Sequence, residues 1–195
     1  GDWSSDVCSS DLFLLIHRCP TDKHAEPNLG PAQDAQRSVQ LVREQAEKWK
    51  IDSKKIGVLG FSAGGQVALV AATNPSLYPS GDKLPTHKPD FLLLAYPYKI
   101  YDAKSKALRT DIKPDAGLPP TFIAQCSDDK ASLPQGSALL FLELVNRNVP
   151  AELHVYAAGG HGYGMRPRPN ATGPTDWGDR AADWLRLRGL AATVK

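Results

Sequence analysis

The segment Gly60-Phe61-Ser62-Ala63-Gly64-Gly65 places a serine at the centre of a run of small residues. It follows an apolar stretch, Lys55–Gly60, and precedes a small-residue stretch, Ala63–Ala72, so it reads as a sharp strand-to-helix turn. In such a turn the central residue takes a strained backbone conformation, and small residues are needed two before and two after it. Gly60 and Gly64 fill those places, and Gly65 eases close packing of the helix on its neighbours. The turn lifts the Ser62 hydroxyl out at the top of a sheet, at the N-terminus of a helix whose dipole favours developing negative charge. The chemistry this suits is nucleophilic acyl transfer, with the Ala63 backbone N–H as the expected oxyanion donor.

A serine nucleophile needs a base, and the base needs an orienting acid. His161 sits in Gly159-Gly160-His161-Gly162-Tyr163-Gly164, where the glycines allow the positive φ angles and close approach a base must make. Asp128 and Asp129 directly follow the apolar stretch Thr121–Gln125, and the residues alone leave the choice between them open. The other histidines are weaker candidates. His154 alternates with Leu153 and Val155 in a strand pattern and reads as structural, while His17, His24 and His87 lie outside any glycine loop at a strand end.

Positioning these residues requires strands that end near one another. Lys55–Gly60, Phe91–Tyr96, Thr121–Gln125 and Glu152–Tyr156 read as buried strands, and Phe13–Ile16 is compatible with another. Helical periodicity runs from Pro31 to Lys50, with Ala35, Val39, Val42 and Ala46 on one face, and recurs over Ala63–Ala72, Ser137–Arg147 and Trp177–Leu187. Trp177 and Trp184 read as packing residues of the last helix. Asn74–Lys88 is a Pro/Gly/Ser-rich loop, and residues 99–119 read as an irregular excursion over one end of the sheet that lines a substrate side. Strands alternating with helices predict the α/β class, a mostly parallel sheet with helices on both faces. Ligands then bind beyond the C-terminal strand ends, where Ser62, the aspartates and His161 all fall.

Composition narrows the partners. With 23 Lys+Arg against 21 Asp+Glu, the 195-residue chain has no electrostatic footprint for nucleic acid or an anionic membrane. Its longest apolar runs, such as Leu12–Ile16, fall far short of the ~20 residues that span a bilayer. Cys8, Cys19 and Cys126 match no zinc or redox spacing, and no H-E-x-x-H or G-x-G-x-x-G motif follows a strand. The sequence therefore assigns no metal and no cofactor.

Asp2–Leu12 (D-W-S-S-D-V-C-S-S-D-L) coincides with one reading frame of a common sequencing adapter, so residues 1–12 are expected to be a non-native or unstructured leader. Residues 13–195 are expected to form a single domain.

Several segments between Phe13 and Leu190 carry a family resemblance. They are Pro31-Ala32-Gln33-Asp34-Ala35-Gln36-Arg37, Ile51-Asp52 through Gly65, Pro119-Pro120-Thr121-Phe122-Ile123, Pro150-Ala151-Glu152-Leu153-His154 and the His161 loop. Together they resemble α/β-hydrolase carboxylesterases of the acetyl-xylan-esterase-like and feruloyl-esterase-like group. The resemblance implies ester hydrolysis through an acyl-enzyme. In relatives with an Asp-Asp pair after this strand the first acid completes the triad, which implies Ser62, Asp128 and His161. It also implies short acyl groups such as acetyl, on carbohydrate or simple alcohols, and a secreted or periplasmic location. Family members carry a hairpin, then a strand and a glycine-rich loop supplying further oxyanion donors, all before the strand matched by Phe13–Ile16. Nothing in residues 1–50 resembles that loop. A chain truncated at its N-terminus, with half an oxyanion hole and little activity, is therefore one alternative. An amidase or peptidase of the same fold is another.

Overall fold

The structure is a computed structural model that describes residues 11–19, 29–77, 84–115, 117–165 and 174–191. In chain order these form α1 (Leu29–Glu44), α2 (Ala46–Trp49), β1 (Gly57–Phe61), α3 (Ala63–Thr73), β2 (Phe91–Ala95), β3 (Tyr101–Asp102), β4 (Ala107–Leu108), β5 (Thr121–Cys126), α4 (Pro134–Asn146), β6 (Ala151–Tyr156) and α5 (Trp177–Leu187).

The strands β1, β2, β5 and β6 form a four-stranded sheet in that order, every pair parallel. The inner strands β2 and β5 are buried on both faces, as their mostly apolar residues allow. Alternation along β2 divides the core. Leu92 and Leu94 join Ala32 and Ala35 of α1, Leu69 of α3 and Leu140 and Leu144 of α4 on one face. Leu93 and Ala95 join Trp177, Ala181 and Trp184 of α5 on the other. Because all four strands run parallel, their C-terminal ends, and the loops that follow them, gather on one side of the sheet.

Two polar ties hold the first face together. Gln36 is buried in α1, donates to the Ala71 and Pro75 carbonyls at 2.9 and 3.1 Å, and accepts the Leu77 N–H at 2.6 Å, which locks α1 to the end of α3. Arg43 donates to the Thr86 and Lys88 carbonyls and to Asp90, whose carboxylate also accepts the Ile56 N–H, so the starts of β1 and β2 are fixed together. No helix among the described residues is long and apolar enough to cross a membrane.

The structure corrects three expectations. The helix expected to run unbroken to Lys50 is interrupted at Gln45 and ends with Lys50 in the left-handed region at φ 58°. The 99–119 excursion contains a short antiparallel ribbon of β3 and β4. Phe13–Ile16 forms no strand: Leu14 and Ile16 are 87% and 90% exposed, and Phe13 stacks on Trp49 at 4.9 Å. An apolar run becomes a strand only when a neighbouring edge accepts its backbone. Among the described residues β1 pairs with β2 alone, and residues 11–19 are held instead by Arg18 on the Asp34 carboxylate at 2.7 Å. Those Arg18 contacts keep the Asp34 carboxyl below the usual carboxylate range. His24, Cys8 and most of the 1–12 leader lie outside the described residues.

Candidate active site

Ser62 sits between β1 and α3 with φ 50° and ψ −117°, a conformation unfavourable for a residue with a side chain. The surrounding backbone holds it there: its N–H donates to Ala95 O at 3.0 Å, and its carbonyl accepts the Tyr98 and Gln66 N–H groups at 2.8 and 3.2 Å. The small residues flanking it are not equivalent. A Cβ on Gly60 would lie 2.5 Å from Gly64 O and 2.6 Å from Gly65 Cα, and one on Gly65 would lie 3.1 Å from Gly60 O and Pro97 Cα. A Cβ on Gly64 would meet nothing within 4 Å. The close approach that demands glycine is thus between Gly60 and the backbone of α3, and Gly64 contributes backbone rather than an empty side-chain position.

The Ser62 hydroxyl lies 2.8 Å from His161 Nε2, and His161 Nδ1 lies 2.9 Å from Asp129 Oδ2. The Asp129 side chain has no solvent exposure, whereas the imidazole is 26% exposed. A carboxylate only accepts hydrogen bonds, so the neutral imidazole carries its proton on Nδ1 and presents Nε2 as an acceptor to the serine hydroxyl. Asp129 is itself fixed by four donors. Its Oδ1 takes the Ala131 and Ser132 N–H groups at 2.9 and 2.8 Å, and its Oδ2 takes Gln125 Nε2 at 3.2 Å besides His161. Nothing in the sequence singled out Gln125 or Ser132 for this task, since an interior glutamine in an apolar strand carries no signal of its own.

Asp128 is not the acid facing His161, contrary to the expectation drawn from the resemblance. Both aspartates lie in the turn that follows β5, closed by the Asp129 N–H on Cys126 O, and this turn carries Asp129 inward and leaves Asp128 exposed. Its carboxylate accepts the Gly160 N–H at 2.8 Å and the Gly159 N–H at 3.2 Å, immediately before His161. Those N–H groups, Gly160 first, hold the Asp128 carboxyl below its ordinary value of 3.8.

Ala63 opens α3 at the position expected, its N–H belonging to a first helical turn whose amides have no intrahelical acceptor. His154 bonds Glu152 Oε1 at 2.6 Å within β6, away from Ser62. Cys126 closes β5 in the core, and burial, aided by the charges of Asp128 and Asp129, pushes its thiol up to about 11. Against His161 lies an aromatic cluster in which Phe61, Tyr96, Tyr163 and Trp177 meet edge-on or tilted, and Trp177 Nε1 donates to Gly164 O at 2.7 Å. Lys99, Tyr101, Asp102 and Arg109 of the excursion meet Lys130 and Leu133 around a cleft of about 450 Å³, next in sequence to Asp129. Among the described residues no cluster of three or more His, Cys, Asp or Glu is placed to hold a metal ion.

The chain is similar to known proteins over much of its length. The BD-FAE family profile matches residues 17–79. The acetylxylan esterase of Xylanibacter ruminicola is 26% identical over 173 residues, covering 78% of this chain. The chain spans only 27% and 34% of the length of the curated relatives it matches. Among solved structures, the acetyl ester-xyloside bifunctional hydrolase of Caldicellulosiruptor lactoaceticus is 28% identical with a TM-score of 0.73, over 91% of this chain and 71% of that one. MGS-M1, an alpha/beta hydrolase enzyme from a Medee basin deep-sea metagenome library, is 26% identical with a TM-score of 0.68, over 85% and 66%. With its parallel sheet and its serine held at a strained strand-to-helix turn, the chain belongs to the α/β-hydrolase fold and is similar to esterases built on it.

Proposed function

We propose that this chain is the catalytic part of a serine carboxylic-ester hydrolase working through Ser62, His161 and Asp129. The observation that carries this reading is the unbroken contact from the Ser62 hydroxyl through both imidazole nitrogens to a fully buried carboxylate. Ser62 attacks the ester carbonyl as His161 Nε2 takes its proton, and Asp129 stabilises the imidazolium that forms and holds it in register. The negative charge gathering on the carbonyl oxygen falls at the N-terminus of α3, where the Ala63 N–H and the helix dipole favour it. Loss of the alcohol leaves an acyl-serine, which water hydrolyses with His161 again as base.

Short acyl groups on carbohydrate, acetyl above all, are the substrates this reading favours. Support comes from the acetylxylan esterase and the acetyl ester-xyloside hydrolase that the chain resembles. The cleft lined by Lys99, Tyr101, Arg109 and the residues that follow Asp129 offers polar and aromatic groups for a sugar alcohol. The test is hydrolysis of p-nitrophenyl acetate and of acetylated xylo-oligosaccharides, together with labelling by a fluorophosphonate. Ser62→Ala is expected to abolish turnover, and the label is expected on Ser62 alone. Labelling elsewhere with Ser62 untouched, or turnover that survives the substitution, would overturn the assignment.

A further inference from the structure

The loop that carries His161 has no regular secondary structure of its own to fix its shape. Gly159, Gly160, Gly162 and Gly164 all have positive φ, at 144°, 60°, 77° and 66°. Glycines forfeit more backbone freedom on ordering than any other residue, and this loop belongs to no helix or strand. The place of the imidazole is therefore set by whatever the loop docks against.

We propose that Tyr96, at the end of β2, is the positioning residue that holds His161 in reach of Ser62, an inference that rests on the esterase reading above. Its backbone belongs to the rigid sheet: the Tyr96 N–H donates to Ala124 O at 2.8 Å, one rung beyond the paired part of β2 and β5. Its side chain belongs to the loop. The ring meets the His161 imidazole edge-to-face with centroids 5.0 Å apart, and meets the Tyr163 ring in the same manner at 4.5 Å. Its hydroxyl oxygen accepts the Gly164 N–H at 3.2 Å. One side chain thus touches the loop at residues 161, 163 and 164, while Asp128 holds residues 159 and 160 from the other end.

The backbone of Tyr96 shows that this placement is not incidental. Its φ is +40°, which is unfavourable for a bulky side chain, and it precedes Pro97, which restricts the residue before it further. Strain of this kind persists only where surrounding contacts over-determine it, and it clusters where geometry serves a site. Tyr96 is 5% exposed and is packed also against Phe61, whose strand leads directly into Ser62. The same side chain therefore references the base and the nucleophile to one another.

The experiment compares Tyr96→Leu and Tyr96→Phe with the parent protein. The readouts are kcat and KM on p-nitrophenyl acetate, the rate of fluorophosphonate inactivation, the NMR resonance of His161 Cε1–H and hydrogen exchange of the residue 162–164 amides. Removing the ring lets the imidazole drift, and misplacement by about an ångström costs on the order of 10²-fold. Tyr96→Leu is therefore expected to lower kcat by about 10- to 100-fold with KM within about twofold, and to slow inactivation in proportion. It is also expected to reduce the ring-current shift of His161 to what the more distant Tyr98 ring, 6.1 Å away, contributes. Tyr96→Phe keeps the ring and should restore kcat to within roughly threefold, with faster exchange at Gly164 because its acceptor is gone. A Leu variant that melts earlier but keeps kcat and the His161 resonance would reduce Tyr96 to packing and overturn the proposal. A variant altered in KM alone would overturn it too. If the Leu variant does not fold, a Phe variant with kcat and Gly164 exchange both unchanged overturns it. A parent protein that neither hydrolyses esters nor takes the label at Ser62 would defeat the esterase reading instead, and the resonance and exchange readouts would still decide whether Tyr96 holds the loop.

Discussion

Exchanging the carboxyl groups of Asp128 and Asp129 for amides, one at a time, separates the acid that acts on His161 from the one that merely lies beside it in sequence. Asp129 Oδ1 receives two backbone N–H groups, from Ala131 and Ser132, and Oδ2 receives His161 Nδ1–H and Gln125 Nε2–H. An asparagine there has one oxygen, and the two loop amides claim it. Its NH2 then faces the imidazole, forces the proton onto Nε2 and leaves no acceptor for the serine hydroxyl. A loss of about 10⁴ in kcat is expected, or roughly 5 kcal/mol of transition-state stabilisation. The same NH2 opposes that of Gln125 in a site without solvent, which costs about 1–3 kcal/mol of stability and lowers Tm by several degrees. Asp128 lies on the surface, and Asn in its place keeps an oxygen for the Gly160 N–H. Its kcat is expected to stay within about tenfold, the loop being loosened rather than its base reversed. The assay is kcat on p-nitrophenyl acetate, normalised to sites titrated with a fluorophosphonate, alongside thermal melts. Equal losses, or a larger loss for Asp128→Asn, would refute the assignment of Asp129 and return the role to its neighbour.

Gly60→Ala must push its Cβ against Gly64 O at 2.5 Å, so it is expected to destabilise the turn strongly and abolish activity, whereas Gly64→Ala, with open space around it, should fold and retain most turnover. Thermal melts and p-nitrophenyl acetate hydrolysis of the two variants check this, and similar behaviour in both would show that the turn is read wrongly. Asp128, its carboxyl lowered from 3.8 by the Gly160 and Gly159 N–H groups, stabilises the fold fully above that value and ceases to as pH falls through its lowered one. The Tm gap between the parent and Asp128→Ala should therefore be widest near neutral pH and narrow as pH is taken below the ordinary carboxylate value of 3.8, and a gap that widens in acid would contradict the contact. Cys126, buried and with its thiol pushed up to about 11, should resist iodoacetamide at pH 8 until the protein unfolds, while the exposed Cys19 reacts; peptide mapping reads the difference.

The strands and helices around the site were legible because their signals are local. The mostly apolar stretches Phe91–Ala95 and Thr121–Cys126 are buried on both faces and so need no alternation, and the face of α1 shows a helical period before any partner is known. Ser62 and His161 stood out for a related reason: a turn whose close approach at Gly60 demands glycine, and a loop rich in glycine, write their geometry into composition. The choice between Asp128 and Asp129 was not legible, because two adjacent aspartates in the turn after β5 differ only in which of them the turn carries inward, and the bonds that decide it come from Gln125, Ser132, Gly159 and Gly160. The same limit applies to Tyr96, an aromatic residue before a proline until the fold brings residues 161–164 against its ring. It applies to Phe13–Ile16 in the opposite sense, since an apolar run does not by itself supply the edge it would pair with. Residue type and period determine which segments bury and which side chains can do chemistry. Which carboxylate meets the imidazole, and what holds that imidazole still, are contacts between segments distant along the chain, and only tertiary structure decides them.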